Sequence, residues 1–287
     1  MEQIKIGVTG ATGQLGRKVI ENLKKEVDAS QIVALVRHPE KAQDLGVEAR
    51  AFDYDHPEQI CEALKGISKL LLISSNEIGK RFPQHKNVID GAKKAGVSSI
   101  AYTSLLRTDI SPLGLAAEHK ETEHYLKSCG LDYTLLRNGW YIENYTASLS
   151  GVLQSGAVYG SAGNGKISAA TRNDYAKAAV RVLTGEGHKN KIYELGGNAF
   201  TMSDYAAEIS KQSGKDIQYI DLSVEEYAKV LEEKAHMPAP TAQFFASVDA
   251  EVNNGALETN DNRLAELIGG HLESLGDAVK AALLSIQ

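Results

Sequence analysis

The sequence predicts an α/β fold in which a doubly wound parallel sheet is joined to a smaller, mostly helical C-terminal lobe. Three observations lead to this prediction. Short apolar segments alternate with amphipathic stretches through the first half of the 287 residues. The first apolar segment runs into three glycines spaced three residues apart, and after Trp140 the segments become shorter, more polar and more helical. Strands that alternate with helices are joined by crossovers, which make neighbouring strands parallel.

Six segments predict the strands of this sheet. In chain order they are IKIGVTG, QIVALVR, VEARAFD, KLLLISS, SSIAYTS and DYTLLRN. Between them, PEQICEALKG and HKNVIDGAKKAG have the spacing of amphipathic helices. The second of these helices is expected to end at Gly96, because glycine is the usual residue just past a helix C-terminus.

Residues 151–287 predict the smaller lobe. Its helical segments are RNDYAKAAVRVLTG, TMSDYAAEISKQSG, SVEEYAKVLEEKA and HLESLGDAVKAALLSIQ, with two brief strands, KIYELGG and DIQYIDL, among them. We expect this lobe to be partly interleaved with the domain of residues 1–150 and to close over the carboxyl ends of its strands. No repeat or long linker separates the two parts, so they are expected to move as a clamp.

Composition and charge narrow the class of protein. The two cysteines, Cys61 and Cys129, have neither metal-type nor redox-type spacing, so we expect reduced thiols and a cytoplasmic location. We expect no leader and no membrane span, because the apolar runs are far shorter than the roughly 20 residues that a span needs. A net charge of −6 without a basic, aromatic-rich run argues against a nucleic-acid partner.

The segment TGATGQLG predicts a dinucleotide site. Gly10 suits the tight turn that leaves the first strand, Gly13 lets the backbone approach a ligand, and Gly16 permits close packing of helix on strand. The helix that begins near Gly13 directs free N–H groups and its positive dipole end at an anion such as a pyrophosphate. Residues 1–150 are therefore predicted to be an NAD(P)-binding, Rossmann-type domain.

Arg37 leaves the second predicted strand at the position where NAD-binding proteins place a carboxylate for the ribose 2′-hydroxyl. A guanidinium there grips a 2′-phosphate through two hydrogen bonds, and neither Val36 nor His38 is acidic. NADP is therefore favoured over NAD. A solvated arginine is the alternative, and Lys41 is either a second phosphate contact or helix surface.

Two further strand ends carry polar residues at the rim where such a sheet binds ligands. Asp53 follows the third strand, where it either meets the adenine amino group or caps the helix that begins near Pro57. Ser74, Ser75 and Asn76 follow the fourth strand, and we expect them to face the ribose and nicotinamide side.

Several segments together resemble one family. They are TGATGQLG, LVRHPEKA, LLLISSNEIG, IAYTSLL, SPLGLAAEH, YTLLRNGWYIENY and GNGKISAATRNDYA. They are similar to the NmrA-like branch of the atypical short-chain dehydrogenases, and within it to bacterial NADPH-dependent quinone oxidoreductases. The resemblance covers nearly the whole chain and is least distinctive in the last fifty or so residues. It implies a Rossmann domain, NADPH as the cofactor and quinones as electron acceptors.

The resemblance also implies which residues bind. Trp140 and Tyr141 would wall the substrate pocket, although packing between the lobes is the alternative for Trp140. Apart from the resemblance, Phe244 and Phe245 lie on a helical pattern of the second lobe, where Phe245 is either a core residue or a quinone contact. The implied cofactor contacts are Gly10, Thr12, Gly13, Gln14, Leu15, Arg37, Ser74, Ser75, Asn76, Asn138, Gly139, Trp140, Tyr141, Ile142 and Glu143.

One departure from the wider dehydrogenase pattern bears on the chemistry. Ser104 and Lys120 resemble the serine and lysine of the short-chain dehydrogenase triad, but Ala116 stands where the tyrosine acid would be. Losing a positioned proton donor costs roughly 10²–10⁴ in rate, which disfavours carbonyl-to-alcohol reduction. Quinone reduction tolerates the loss, because the charge is delocalised over a ring. Lys120 would then hold the nicotinamide ribose or stabilise the hydroquinone anion, unless it is a surface lysine paired with Glu123.

The leading hypothesis is therefore an NADPH-dependent reductase that passes hydride to a quinone bound between the lobes. The alternatives are a non-catalytic NADP(H) sensor of the NmrA type and reduction of another conjugated acceptor. No metal site is expected, because His119 and His124 lie five residues apart and do not share a helix face. The loop of residues 107–116 is either a lid or an ordinary connection. The oligomeric state stays open, with a homodimer as one candidate.

Overall fold

The computed structural model describes residues 4–286. Its centre is a seven-stranded, wholly parallel sheet with the order β3-β2-β1-β4-β5-β6-β8. The strands of this sheet are β1 (Ile6–Thr9), β2 (Ile32–Val36), β3 (Glu48–Ala51), β4 (Lys69–Leu72), β5 (Ser99–Leu105), β6 (Asp132–Asn138) and β8 (Lys191–Leu195). A second, two-stranded parallel sheet consists of β7 (Ala157–Gly160) and β9 (Gln218–Asp221).

Helices cover both faces of the central sheet, as the doubly wound prediction requires. One face buries Val19, Leu23 and Ala179, and the other buries Ile60 and Val88. The helices are α1 (Gln14–Glu26), α2 (Pro57–Ala63), α3 (Arg81–Ala95), α4 (Ala116–Ser128), α5 (Glu143–Thr146), α6 (Leu149–Ser155), α7 (Arg172–Thr184), α8 (Met202–Ser213), α9 (Val224–Ala235), α10 (Ala239–Asn253), α11 (Arg263–Ile268) and α12 (Leu275–Ser285).

All six predicted strands of the first half are confirmed, and α3 ends at Gly96 in the left-handed conformation. The segment KIYELGG forms β8, which pairs with β6 from Thr134 opposite Lys191 to Asn138 opposite Leu195. Helix α7 is the crossover that this parallel pairing requires. The chain thus returns to the central sheet after residue 150, and the domain boundary placed there stays a prediction.

A second apolar core lies among the C-terminal elements. This core joins β7, α8, α10 and α12 through residues such as Val158, Ile209, Val252 and Val279. Half-buried Trp140 packs against it from the end of β6. Trp140 therefore lies where the central sheet meets the C-terminal helices. Within residues 4–286 no helix combines the length and apolar character needed to cross a membrane.

The strand order reverses direction between β1 and β4. In such sheets the crevice outside the carboxyl ends of these strands binds ligands. Three polar contacts tie the crevice floor together. The Thr9 hydroxyl accepts from the Ile73 amide at 2.9 Å, and the Tyr54 hydroxyl lies 2.6 Å from Thr9 Oγ1 and 2.8 Å from the Ile73 carbonyl oxygen.

Candidate active site

The glycine-rich turn between β1 and α1 has the geometry of an anion cradle. Gly10 has a φ of +58°, and its carbonyl accepts from the Gly13 amide at 2.9 Å. A Cβ on Gly16 would lie 2.3 Å from the Gly10 carbonyl oxygen, so only glycine fits there. Helix α1 begins at Gln14 with no side chain capping its first amides, which leaves them available to a phosphate. Gln14 is exposed, whereas Leu15 is buried.

The candidate 2′-phosphate contact lies at the rim of the same crevice. Arg37 directly follows β2, is exposed, and forms no salt bridge within the described part of the chain. Lys41 is exposed nearby in sequence. Asp53 accepts from the Asp55 amide at 3.1 Å, which makes it a turn residue, while His56 holds the N-cap position of α2. The capping alternative for Asp53 is therefore wrong for the helix itself, and its adenine contact stays a prediction.

The loop after β4 lies on the other side of the switch point. The Ser74 amide donates to Thr103 Oγ1 on β5 at 2.8 Å, Ser75 is buried, and Asn76 is exposed. The Ser75 hydroxyl accepts from the Glu77 amide at 3.1 Å. The hydrogen bond to Thr103 thus anchors the loop on β5. Ser74 is partly exposed, and Asn76 is exposed.

The segment that follows β6 is closely packed. The Gly139 amide donates to the Leu195 carbonyl at 2.8 Å, and a Cβ on Gly139 would lie 2.9 Å from the Ser168 carbonyl oxygen. Asn138 is 5% exposed, and its Oδ1 has no hydrogen-bond partner within residues 4–286. A buried amide oxygen without a donor is costly, so Asn138 is suited to a ligand that donates, such as a carboxamide.

Aromatic side chains line the same segment. The Tyr141 ring packs edge-on against Tyr175 at 5.4 Å, and the Arg172 guanidinium lies 4.6 Å from the Tyr141 ring centre. The Glu143 carboxylate accepts from the Arg172 amide at 2.8 Å, so this side chain is already engaged at the start of α7. Ile142 is buried. Glu143 therefore supports the start of α7, and its contact with the cofactor stays a prediction.

Phe245 lies apart in the chain, on α10. It is 40% exposed and packs edge-on against Phe244 at 5.5 Å. Phe244 is half-buried against the same C-terminal core as Trp140. Helix α10 therefore reaches the core that Trp140 borders, but the contact of Phe245 with a quinone stays a prediction.

Ser104 belongs to a buried ionic network. Its hydroxyl donates to Glu123 Oε1 at 2.6 Å, and Glu123 accepts two further hydrogen bonds from Arg137, at 2.9 and 2.6 Å. The Arg137 guanidinium also pairs with Asp109 and Glu194, each at 2.8 Å. These carboxylates hold the pKa of Arg137 above its ordinary value despite burial. The Ser104 proton is thus committed to a carboxylate.

Lys120 is exposed on α4, and its Nζ lies 3.4 Å from the Asp109 carbonyl oxygen. The alternative that pairs Lys120 with Glu123 is wrong, because Glu123 is buried and pairs with Arg137 and Lys127. Asp109 links the two residues of the predicted pair, since its carboxylate contacts the network of Ser104 and its carbonyl contacts Lys120. The catalytic roles of Ser104 and Lys120 stay predictions.

Some contacts were not predicted from the sequence. Thr9 and Tyr54 form the floor of the crevice. Burial raises the pKa of Tyr54 well above its ordinary value. Arg81 and His85 contact Ser75 from α3. In the sequence, Arg81 and His85 are polar residues of an amphipathic helix. The sequence alone does not show that their side chains point into the protein.

Comparison with known proteins agrees with this geometry. Residues 10–186 match the model of a family described as NAD(P)H-binding. The chain is 51% identical to quinone oxidoreductase 2 of Escherichia coli (strain K12) over 278 residues, which cover 96% of this chain and 97% of that protein. The crystal structure of the NADPH-dependent quinone oxidoreductase from Escherichia coli, complexed with NADPH, superposes with a TM-score of 0.93 over 97% of this chain and 99% of that one.

Two other structures widen the comparison. The Citrobacter sp. triphenylmethane reductase complexed with NADP(H) is 40% identical, with a TM-score of 0.93 over 97% of this chain and all of that one. The negative transcriptional regulator NmrA, in complex with NAD, has a TM-score of 0.82 at 14% identity, covering 99% of this chain and 97% of that one. That last likeness shows the fold alone. The glycine cradle, the matched family model and the full-length similarity to quinone oxidoreductase 2 together show that the chain belongs to the NAD(P)H-binding family.

Proposed function

We propose that this chain is an NADPH-dependent quinone reductase. The observation that carries the proposal is the 51% identity, across nearly the full length of both chains, to a protein named quinone oxidoreductase 2. The relative's structure was obtained with NADPH, and this chain has the glycine cradle, the exposed arginine after β2 and the unpartnered Asn138 oxygen that suit the same cofactor.

The cofactor would lie across the switch point of the sheet. The amides at the start of α1 would bind the pyrophosphate, Arg37 the 2′-phosphate, and Asn138 with Gly139 the carboxamide. When bound, NADPH supplies a hydride. The residues of the chain supply binding and orientation, which is the protein's usual share in nicotinamide chemistry.

The acceptor would bind between the central sheet and the C-terminal helices, beside Trp140 and Tyr141. An aromatic wall suits a flat quinone ring, and a planar acceptor needs mainly proximity and stacking. Ala116 stands in place of the tyrosine acid, so the one proton that completes the hydroquinone after hydride transfer would come from water. Lys120 lies on α4, and its ammonium group is close to the Asp109 carbonyl oxygen. Its positive charge would stabilise negative charge that develops on the acceptor.

Steady-state oxidation of NADPH with a series of benzoquinones and naphthoquinones tests the reaction. We expect turnover well above the uncatalysed rate with quinones. A triphenylmethane dye is an informative second acceptor, because a 40% identical relative is a triphenylmethane reductase. Faster turnover with the dye would move the substrate class to other conjugated acceptors. NADPH binding without turnover on any acceptor would favour the sensor hypothesis.

We further propose a cytoplasmic location, with Cys61 and Cys129 as reduced thiols, and a small-molecule quinone without nucleic acid as the partner. Both cysteines are free, and Cys129 is buried. Light scattering on the purified protein distinguishes a monomer from the homodimer that we keep as a candidate.

A further inference from the structure

A cluster of polar side chains lies buried beneath the loop that follows β4. It consists of Arg81 and His85 on α3, Tyr102 on β5, and His119 and Thr122 on α4, each at most 6% exposed. We call these five residues the subloop cluster. Buried polar groups are expensive unless they are hydrogen-bonded, so such a concentration calls for an explanation.

The cluster holds both backbone groups of Ser75. The Ser75 amide donates to His85 Nε2 at 2.9 Å, and the Ser75 carbonyl accepts from Arg81 Nε at 2.7 Å. The amide belongs to the peptide unit between Ser74 and Ser75, and the carbonyl belongs to the unit between Ser75 and Asn76. The two side chains therefore fix the orientation of two consecutive peptide units. The residues on either side of Ser75, Ser74 and Asn76, are then aimed by the cluster.

The hydrogen bonds assign one protonation state to His85. Because Nε2 accepts from an amide, the ring proton is on Nδ1, which donates to Thr122 Oγ1 at 3.0 Å. The Thr122 hydroxyl in turn donates to the Glu118 carbonyl at 2.8 Å. Burial, reinforced by the Arg81 charge, lowers the pKa of His85 to about 3, so the ring is neutral at physiological pH.

Arg81 is the unusual member of the cluster. It is 6% exposed and forms no salt bridge within residues 4–286. Its Nη1 lies 3.3 Å from His119 Nε2, and His119 Nδ1 lies 2.7 Å from the Tyr102 hydroxyl. A buried cation without a carboxylate partner destabilises the folded state, because no opposite charge offsets its desolvation. Its hydrogen bond to the Ser75 carbonyl instead fixes the orientation of the loop backbone.

The topology tells which part of a cofactor the loop meets. The sheet order reverses between β1 and β4, so a dinucleotide bound across this point has its adenosine half over β1 and β2. Its nicotinamide half then lies over β4 and β5. We propose that Arg81 and His85 are positioning residues, which fix the peptide units before and after the Cα atom of Ser75 so that Ser74 and Asn76 meet the nicotinamide half of NADPH. This inference rests on the proposed cofactor site and not on the quinone.

Two ligands separate positioning from general folding. NADPH spans both halves of the site, whereas adenosine 2′,5′-bisphosphate fills only the adenosine half near Arg37. For His85→Leu we expect the Kd of NADPH to rise about tenfold, the size of one lost buried hydrogen bond. The Kd of the bisphosphate should stay within about twofold. His85→Gln keeps an acceptor for the Ser75 amide and should recover most of the NADPH affinity. His124→Leu, at an exposed position on α4, is the matched control.

Equal losses for both ligands in His85→Leu, or unchanged NADPH affinity, would overturn the inference. If that variant does not fold, Arg81→Met against Arg81→Lys makes the same comparison, with lysine expected to retain part of the bond to the Ser75 carbonyl. Both measurements are binding titrations without an acceptor. An absence of quinone turnover would therefore refute the proposed reaction and leave this inference standing.

Discussion

At the scale of single residues, the proposed cofactor site rests on a guanidinium and an amide oxygen that have no partner within the described chain. Within residues 4–286, Arg37 is exposed and forms no salt bridge, and the Asn138 amide oxygen is buried without a hydrogen-bond donor. Arg37 was predicted as a contact from its place after a strand. The missing partner of Asn138 is a three-dimensional fact that no sequence pattern contains.

Arg37→Glu tests whether this side chain selects the cofactor. A charge-assisted, two-bond contact to a phosphate stabilises by about 1.5–3 kcal/mol, so we expect the NADPH Kd to rise about 10- to 100-fold. The NADH Kd should change far less. Arg263→Glu, another exposed arginine, is the control. Equal losses for NADPH and NADH would show that Arg37 does not contact the 2′-phosphate.

The subloop cluster predicts a pH dependence of stability. The pKa of His85 falls from 6.5 in the unfolded chain to about 3 in the folded one, so below pH 6.5 the unfolded chain binds more protons. Neutral His85 therefore costs up to about 1.4 kcal/mol of unfolding free energy per pH unit between these values. Burial and the Arg81 charge lower the pKa of His119 in the same direction. The other ionisable groups around the cluster are Tyr102, which contacts His119, the Tyr54 ring beside His85, and the carboxylates of Glu123 and Glu118, whose charges act on Tyr102.

Urea unfolding of wild type and His85→Gln from pH 7 to pH 4 measures this dependence. We expect the stability of wild type to fall more steeply with decreasing pH than that of the variant, which has one fewer histidine to protonate. Parallel curves would contradict the assignment of His85 as a buried neutral ring.

At the scale of elements, the turn between β1 and α1 sets the cofactor site. Gly16→Ala would place a methyl group 2.3 Å from the Gly10 carbonyl oxygen and 2.7 Å from Ala11 Cα. Both are backbone atoms, so α1 must shift. We expect a loss of about 1–3 kcal/mol in unfolding free energy and weaker NADPH binding. Gly151→Ala, on α6 with nothing within 4 Å of the added Cβ, is the matched control. Equal melting temperatures of the two variants would contradict the packing argument.

The elements also show where sequence prediction stops. Five of the six early strands are mostly buried, and their apolar pattern was sufficient. The sixth, β3, lies at the edge of the sheet and has no buried residue. The segment that became β8 was recognised as a strand, but its partner was not, because pairing with β6 depends on where α7 leads the chain. Strand β7 has only four residues and was not predicted. Its partner β9 lies about sixty residues away in sequence, and no local signal joins them.

Polar contacts inside the fold were the hardest part of the site to foresee. Ser104 was predicted as a member of a catalytic pair, yet it donates to Glu123 within the network around Arg137. A buried glutamate on α4 has the sequence appearance of a surface residue. Glu123 is buried because α4 packs beside β5 and β6, where it meets Ser104 and Arg137. The periodicity of α4 alone does not reveal this contact.

Lys120→Ala tests the lysine that is predicted to act at the substrate side. A charge near a developing hydroquinone anion stabilises the transition state, so we expect kcat to fall about tenfold, with the NADPH Kd nearly unchanged. Lys211→Ala, on the exposed face of α8, is the control. Kinetics equal to wild type would remove Lys120 from the active site and leave it as a contact of the Asp109 carbonyl.

At the scale of the whole molecule, two apolar cores meet at the end of β6. The central sheet supplies the nucleotide crevice, and the C-terminal helices supply the core on which Trp140 packs. This arrangement places an aromatic wall beside the predicted nicotinamide segment. We therefore expect the cofactor to bind at the central sheet and the acceptor to be covered by the C-terminal helices.

The most direct test of this account mixes the purified protein with NADPH and a small benzoquinone, and follows the NADPH absorbance and the hydroquinone formed. We predict enzyme-dependent loss of NADPH with one hydroquinone formed per NADPH consumed, and a much slower loss with NADH. A rate no higher than that without protein, in a preparation shown by titration to bind NADPH, would contradict the assignment as a quinone reductase.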